Sequence, residues 1–157
     1  MSKGNRVASS TVSPPFTNLT TMENPLTIAL IKPDAWKHRK EILMEIAQNF
    51  VVVQAKDVEF TPKLVRAFYS EHVDKDYFPA LLAHMCSGRT LVLKLRSRLE
   101  GNTIAMWREA IGPTNPAIAK QDGDSLRAKY GTNLPKNAFH GSDSWESVIC
   151  EAAIFGM

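Results

Sequence analysis

The chain has 157 residues, enough for one ordinary domain with a substantial core. An apolar content of 44% and a charged content of 22% are typical of a soluble globular protein and exclude a disordered or fibrous one. The net charge of +3 suits an anionic small-molecule substrate, but no dense Lys/Arg stripe predicts a dedicated nucleic-acid site. No apolar run is long enough for a membrane span, so no membrane partner is predicted.

The first 24 residues differ in composition from the rest of the chain. They are rich in Ser, Thr and Pro and contain no acid before Glu23. Such a stretch cannot bury enough apolar surface to fold alone, which predicts a disordered extension over 1–24 and one folded domain over 25–157. The lack of acids is also a feature of mitochondrial transit peptides, although the Pro14–Pro15 pair makes a poor amphipathic helix.

Cys86 and Cys150 are the two cysteines of the chain, and each lies in an apolar stretch with helical character. Two cysteines in a chain of this size do not form a disulfide framework, which favours a reducing compartment. We therefore expect a cytoplasmic protein, with a mitochondrial location as the alternative.

The first half of the domain alternates between strand and helix patterns. The run from Leu26 to Ile31 is almost continuously apolar, as in a central strand that is covered on both faces. The pattern then predicts a helix over His38–Gln48, a strand over Phe50–Phe60, and a helix that reaches about Glu71. Thr61 and Pro62 would begin that last helix as its N-cap and first residue.

The second half of the domain also alternates between helix and strand patterns, but one long segment has neither pattern. The predicted elements are a helix over Phe78–Cys86, a strand over Thr90–Leu95, a helix over Asn102–Ala110, a short helix over Ser125–Tyr130, a short strand at Ala138–Phe139 and a last helix over Ser144–Phe155. The segment from Gly112 to Asp124 is predicted to be irregular. It is too long for an idle connection and too polar for the core, so it is a candidate functional loop.

The order β-α-β-α-α-β-α-loop-β-α predicts the fold class α/β (α+β). It is typical of a ferredoxin-like sandwich, in which an antiparallel four-stranded sheet has helices packed on one side.

The segment Asn137–Ser144 is the strongest chemical signal in the chain. It places His140 on a short turn beside a glycine, among hydroxyl and carboxylate side chains. Imidazole has an ordinary pKa of about 6.5, so much of it is an uncharged nucleophile at neutral pH. Gly141 would let a substrate approach the backbone closely. A turn histidine near a helix cap is the alternative interpretation for a lone His-Gly pair.

Polar residues upstream give this histidine a context. Lys32 follows the first strand, Arg108 lies in a predicted helix, and Thr114 and Arg127 flank the polar segment. Each of them alone would be an ordinary surface residue. Together they provide what is needed to hold a polyphosphate against a nitrogen nucleophile, since guanidinium groups suit phosphate geometry. The chain contains no Walker-type loop, so side chains would have to bind the phosphates.

Three stretches resemble nucleoside diphosphate kinases, and the resemblance covers about Pro25–Phe155. The stretches are Ala29–Asp34, Gly112–Ala117 and Asn137–Ser144, in that order. The last one is highly specific to the family.

The resemblance implies a ping-pong transfer of the γ-phosphate of ATP or another nucleoside triphosphate to a nucleoside diphosphate, through a phosphohistidine at His140. Ser142 and Glu151 match the pair that orients and tunes this imidazole. Tyr77 would stack on the base and Leu134 would give an aliphatic contact, which predicts broad base specificity. Mg²⁺ is the implied cofactor, bound mainly through the nucleotide phosphates and without a dedicated set of protein ligands. The implied nucleotide-binding residues are Lys32, Tyr69, Tyr77, Arg108, Thr114, Arg127, Leu134 and Asn137.

Some positions depart from the housekeeping pattern. Lys75 stands where arginine is usual, Pro135–Lys136 replaces a Gly-Arg pair, and the segment between Thr114 and Arg127 is slightly longer. The longer segment, together with the run from Asp124 to Thr132, resembles the divergent, group II-like branch of the family. The chain stops at Met157, where housekeeping members continue with a tail that helps build the hexamer. A hexamer is therefore not expected, and a monomer, a dimer and a complex with another protein are the alternatives. A weakly active nucleotide-binding or scaffold module of the same fold is the alternative to an active enzyme.

The remaining histidines and one tryptophan are predicted to be structural. His38, His72 and His84 have no metal-ligand spacing with the cysteines and are expected to be structural or surface residues. Trp107 is expected on the core face of its helix.

Overall fold

The computed structural model describes residues 25–157, so the predicted disordered extension lies outside the described residues. Its centre is a four-stranded antiparallel sheet with the strand order β2-β3-β1-β4. This confirms the predicted ferredoxin-like architecture. The strands are β1 (Thr27–Ile31), β2 (Phe50–Glu59), β3 (Arg89–Ser97) and β4 (Phe139–Gly141).

Seven α-helices and two 3₁₀ segments in residues 25–157 surround the sheet. The α-helices are α1 (Arg39–Asn49), α2 (Pro62–Phe68), α3 (Phe78–Met85), α4 (Thr103–Ile111), α5 (Pro116–Asp122), α6 (Leu126–Tyr130) and α7 (Trp145–Ile154). The 3₁₀ segments are Pro33–His38 and Ser70–His72. Within this described part, none of the helices has the length and apolar character that a bilayer crossing requires.

The predicted start of α2 is confirmed, but its predicted end is wrong. The hydroxyl of Thr61 accepts a hydrogen bond from the backbone N–H of Leu64, and Pro62 occupies the first helical position. The helix stops at Phe68 because Tyr69 leaves the helical conformation, with φ −104° and ψ 36°. A 3₁₀ turn then takes the chain onward.

Helices cover both faces of the sheet, so the expectation of helices on one side is wrong. Ala29 and Ile31 face one core, with α1, α4 and α6 above it, whereas Ile28 and Leu30 face a second core under α2, α3 and α7. All four side chains are fully buried. The physical reason is the apolar character of β1 on both faces, because each face has to be removed from water.

The predicted irregular segment between Gly112 and Asp124 contains helix α5, which corrects the prediction. The side chain of Asn115 accepts a hydrogen bond from the N–H of Ala117 at 3.0 Å, and Pro116 opens the helix. The Asn-Pro pair is a helix-start signal that the sequence interpretation missed. Gly123 ends the helix with φ 154°.

Strand β4 places the segment of His140 at the edge of the sheet. Among residues 25–157 it pairs with β1 alone, with His140 opposite Leu30 and Phe139 opposite Ile31. The strand was predicted one residue earlier. Ala138 is excluded from it because its φ of 70° lies in the left-handed region, which breaks the extended conformation.

Candidate active site

His140 forms a hydrogen-bonded triad with two residues that the sequence singled out. Its Nε2 lies 2.9 and 3.1 Å from the two carboxylate oxygens of Glu151, which projects from α7. The hydroxyl of Ser142 donates to Glu151 Oε2 at 2.8 Å and accepts from the backbone N–H of Ile28 at 3.2 Å. An ionised carboxylate can only accept hydrogen bonds, so Nε2 carries the proton and Nδ1 keeps its lone pair.

Aromatic rings fix the plane of this imidazole. Phe68 packs 4.9 Å from the ring centre of His140, and Tyr69 packs 6.2 Å from it at 87°. The side chain of His140 is 21% exposed in this packing, so the histidine is half-buried. Burial, and then the nearby charge of Glu151, raises the pKa of Tyr69, which keeps its hydroxyl protonated. That hydroxyl points to the sulfur of Met85 at 3.9 Å.

The backbone around His140 is held by Trp107. Its indole N–H donates to the carbonyl of His140 at 3.0 Å, and the ring is fully buried, which confirms the prediction of a core position. A Cβ on Gly141 would lie 2.7 Å from Trp107 Cδ1. The packing of the indole is therefore a structural reason for glycine at this position.

Lys32 is buried at the end of β1 and tied to two other predicted site residues. Its ammonium group donates to the side-chain oxygen of Asn137 at 2.9 Å and to the carbonyl of Pro135 at 2.8 Å. Asn137 in turn donates to the carbonyl of Thr114 at 3.2 Å. Burial lowers the pKa of Lys32 to about 8, and the neighbouring Asp34 partly opposes that shift.

Arg108 and Arg127 reach the same region from α4 and α6. Arg127 donates to the carbonyls of Gly112 at 2.8 Å and Phe139 at 2.9 Å, and Arg108 donates to the carbonyl of Gly141 at 3.2 Å. Burial and the charge of Arg108 lower the pKa of Arg127 to about 10, which leaves it protonated at neutral pH.

A cavity of about 370 Å³ opens beside these two arginines. Its lining includes Arg108, Thr114 and Arg127, three residues that the sequence assigned to phosphate binding. The Nε of Arg127 is buried and has no hydrogen-bond partner among the residues that the structure describes. Two arginines outnumber the one carboxylate in this lining, Glu109, so we call it the cationic pocket. It lies next to the carbonyls that flank His140.

Tyr77 and Leu134 lie on the surface, with exposed fractions of 52% and 57%. The hydroxyl of Tyr77 contacts the imidazole of His72, whose ring packs 5.9 Å from Tyr69. This aromatic chain connects Tyr77 to the surroundings of His140. Leu134 directly precedes the proline whose carbonyl binds the Lys32 side chain.

Sequence reasoning missed the role of a buried pair behind the site. His84 Nε2 lies 2.9 Å from one carboxylate oxygen of Asp34, and the other oxygen accepts from the N–H of Ala138 at 3.0 Å. Asp34 is the last residue of the Ala29–Asp34 stretch, which already marked it as a residue near the site. Nothing in the sequence connects it to a histidine 50 positions away.

The fold, the histidine triad and the cationic pocket define a class of proteins. The sequence model of the nucleoside diphosphate kinase family matches residues 26–156, and the chain therefore belongs to that family. It is 39% identical to the nucleoside diphosphate kinase of Pasteurella multocida (strain Pm70) over 132 residues, which cover 82% of this chain and 91% of that protein. The solved structure of the Aquifex aeolicus nucleoside diphosphate kinase matches with a TM-score of 0.75 and 34% identity, covering 83% of this chain and 94% of that one.

Other relatives are longer proteins. The human thioredoxin domain-containing protein 6 is 38% identical over 143 residues, which cover 87% of this chain but 43% of that protein. The mouse nucleoside diphosphate kinase homolog 5 is 37% identical over 121 residues, which cover 76% of this chain and 56% of that protein. The chain thus spans about half of these relatives or less.

Proposed function

We propose that the protein transfers the γ-phosphate of a nucleoside triphosphate such as ATP to a nucleoside diphosphate, through a phosphohistidine at His140. The observation that carries this proposal is the hydrogen bond between His140 Nε2 and Glu151. It leaves Nδ1 as the nucleophilic nitrogen, on a strand beside three cationic side chains.

In the first half-reaction, the lone pair of Nδ1 attacks the γ-phosphorus. The N–P bond forms while the bond from phosphorus to the β,γ-bridging oxygen breaks, and the electron pair leaves with the nucleoside diphosphate. The imidazole ring gains positive charge in this step. Glu151 stabilises that charge through Nε2–H, and Ser142 holds the carboxylate in place.

In the second half-reaction, a terminal oxygen of another nucleoside diphosphate attacks the phosphorus of phosphohistidine. The P–N bond breaks and its electron pair returns to Nδ1, which regenerates the neutral imidazole. One site serves both half-reactions because the first product leaves before the acceptor binds.

The cationic groups neutralise the charge that spreads over the transferring phosphoryl group. Arg127 has a buried Nε that a phosphate oxygen would satisfy, and Arg108 lines the same cavity. Lys32, Asn137 and the Thr114 hydroxyl extend this polar surface, with Lys32 protonated at neutral pH. Tyr69 stays uncharged and packs its aromatic ring against His140.

Two exposed side chains, Tyr77 and Leu134, are suited to contact the base of the nucleotide. Tyr77 presents an aromatic face, on which any base can stack, and Leu134 adds an apolar contact. Stacking of this kind predicts activity on purine and pyrimidine nucleotides alike.

Magnesium would reach the site with the nucleotide. Among residues 25–157 no three His, Cys, Asp or Glu side chains come together as a metal site. The hydrogen bond from the Ser147 hydroxyl and, to a smaller extent, the charge of Arg108 lower the pKa of exposed Asp143. Carboxylate oxygens of this kind suit Mg²⁺. Asp143 and the nucleotide phosphates would hold the ion, whose positive charge lowers the repulsion among phosphate oxygens.

The test is phosphoenzyme formation. Wild-type protein incubated with γ-labelled ATP is expected to retain label, and His140→Ala is expected to retain none. His38→Ala is a suitable control, since His38 lies outside the site beside Glu41. Label retained by His140→Ala would overturn the assignment.

A panel of nucleoside diphosphates then separates an enzyme from the alternative. Transfer of the label to the panel is expected. Labelling without onward transfer would instead support a weakly active nucleotide-binding or scaffold module. That alternative draws on the longer relatives, in which the matched region is only part of the protein.

A further inference from the structure

We propose that His84 is a positioning residue for His140. Its imidazole holds the carboxylate of Asp34, and Asp34 holds the strained turn at Ala138 that directs strand β4. This inference rests on the proposed function, because it assigns a role in presenting the nucleophile of the same site.

The turn before His140 has a conformation that needs support. Ala138 is the one non-glycine residue with a positive φ, 70°, in residues 25–157. The N–H of Phe139 donates to the carbonyl of Asn137 at 2.9 Å, which closes a three-residue turn around Ala138. Residues in such rarely populated conformations persist when their surroundings hold them.

Both backbone polar groups of Ala138 are held from the end of β1. Its N–H donates to Asp34 Oδ2 at 3.0 Å, and its carbonyl accepts from the N–H of Lys32 at 2.8 Å. Ala138 is fully buried, so water cannot replace either bond. Asp34 is therefore the side-chain partner of Ala138 itself, whereas Arg127 holds the carbonyl of the next residue, Phe139.

His84 completes this support from helix α3. Its Nε2 lies 2.9 Å from Asp34 Oδ1, and the two side chains are 6% and 8% exposed. Without a donor at His84, a buried carboxylate oxygen would lose its partner. The carboxylate would then rotate toward another donor, and the bond to Ala138 would weaken.

A change at Ala138 would also displace His140, because β4 is short. Three residues pair β4 with β1, and His140 is the central one. The direction in which the chain leaves Ala138 therefore sets the position of Nδ1 relative to the cationic pocket. Misplacement of a reacting group by about 1 Å can lower a rate by about 100-fold.

Two substitutions separate the effect of the His84–Asp34 hydrogen bond from the effect of the volume that the His84 side chain fills. His84→Leu fills most of the space without a donor, whereas His84→Gln places an amide N–H near the position of Nε2. We expect His84→Leu to slow the labelling of His140 by γ-labelled ATP about 10- to 100-fold, with little change in the Kd for ATP. His84→Gln is expected to recover most of the rate.

Leu81→Ala provides the matched control. Leu81 lies on the same helix and in the same apolar core as the residues under β1, so its truncation lowers stability without touching Asp34. We expect Leu81→Ala to label at the wild-type rate at a temperature where it remains folded. If His84→Leu does not fold, His84→Asn replaces it, because its shorter amide cannot reach the carboxylate.

The exchange of the Ala138 amide, measured by NMR, tests the support directly and without any enzymatic activity. Faster exchange in His84→Leu, and near-normal exchange in His84→Gln, are expected. Unchanged exchange in His84→Leu would overturn the proposal, as would a rate in His84→Gln as low as in His84→Leu. A wild-type protein that never becomes labelled would refute the proposed function, and the exchange experiment would still decide the role of His84.

Discussion

Removal of the negative charge on Glu151 tests whether this carboxylate stabilises the imidazole of His140 during phosphoryl transfer. Glu151→Gln keeps the size of the side chain that lies 2.9 Å from His140 Nε2 but makes it neutral. The proposed reaction places positive charge on the imidazole ring as the N–P bond forms. The substitution should therefore affect the transition state more than the binding of ATP.

The expected decrease in the labelling rate follows from the kind of hydrogen bond that is lost. A hydrogen bond to a charged group contributes about 1.5–3 kcal/mol, and a neutral one about 0.5–1.5 kcal/mol. The difference of about 1–2 kcal/mol corresponds to a rate about 5- to 30-fold lower. The two side chains are 21% and 11% exposed, so water screens little of this difference.

The assay is a single-turnover measurement of His140 labelling by γ-labelled ATP, with the Kd for ATP determined separately. Glu146→Gln is the control, since Glu146 is an exposed carboxylate on the same helix. A labelling rate of Glu151→Gln that equals that of the control would refute the role of Glu151, and so would a loss explained entirely by weaker ATP binding.

Two further predictions concern Lys32 and Gly141. Because the pKa of Lys32 is lowered to about 8, this side chain loses its charge as the pH rises through 8 in the free protein, and kcat/KM should fall there. Lys32→Arg stays charged and should lack this decrease in a pH series; the same decrease in the variant would assign it to another group. Gly141→Ala should lower the free energy of unfolding by about 1–3 kcal/mol, since the new methyl would lie 2.7 Å from Trp107. Urea unfolding measures this, with Gly88→Ala as the tolerated comparison at 3.4 Å from its neighbour, and equal midpoints for the two variants would contradict it.

Local patterns in the sequence were enough to predict much of the fold. The apolar run that became β1 and the Thr61–Pro62 start of α2 were both confirmed, because each depends on neighbours in the chain. The Asn115–Pro116 start of α5 was equally local and was missed, so that error came from the interpretation and not from the sequence.

Contacts between distant parts of the chain were beyond local patterns. The left-handed conformation of Ala138 has no sequence signal, because it is held by Asp34 and Lys32, more than 100 positions earlier. The contact between Gly141 and Trp107 was likewise beyond the sequence, since it arises when α4 is placed over β4.

The sequence by itself determined the family resemblance and singled out His140 as the proposed nucleophile, because the motif around this residue is contiguous. The tertiary structure decided which ring nitrogen is available, through a hydrogen bond between strand β4 and Glu151 on helix α7. It also decided that Arg108 and Arg127 face one cavity and that His84 supports the turn before β4. These features depend on how helices pack on the two faces of the sheet, and side chains far apart in the chain meet only after that packing is complete.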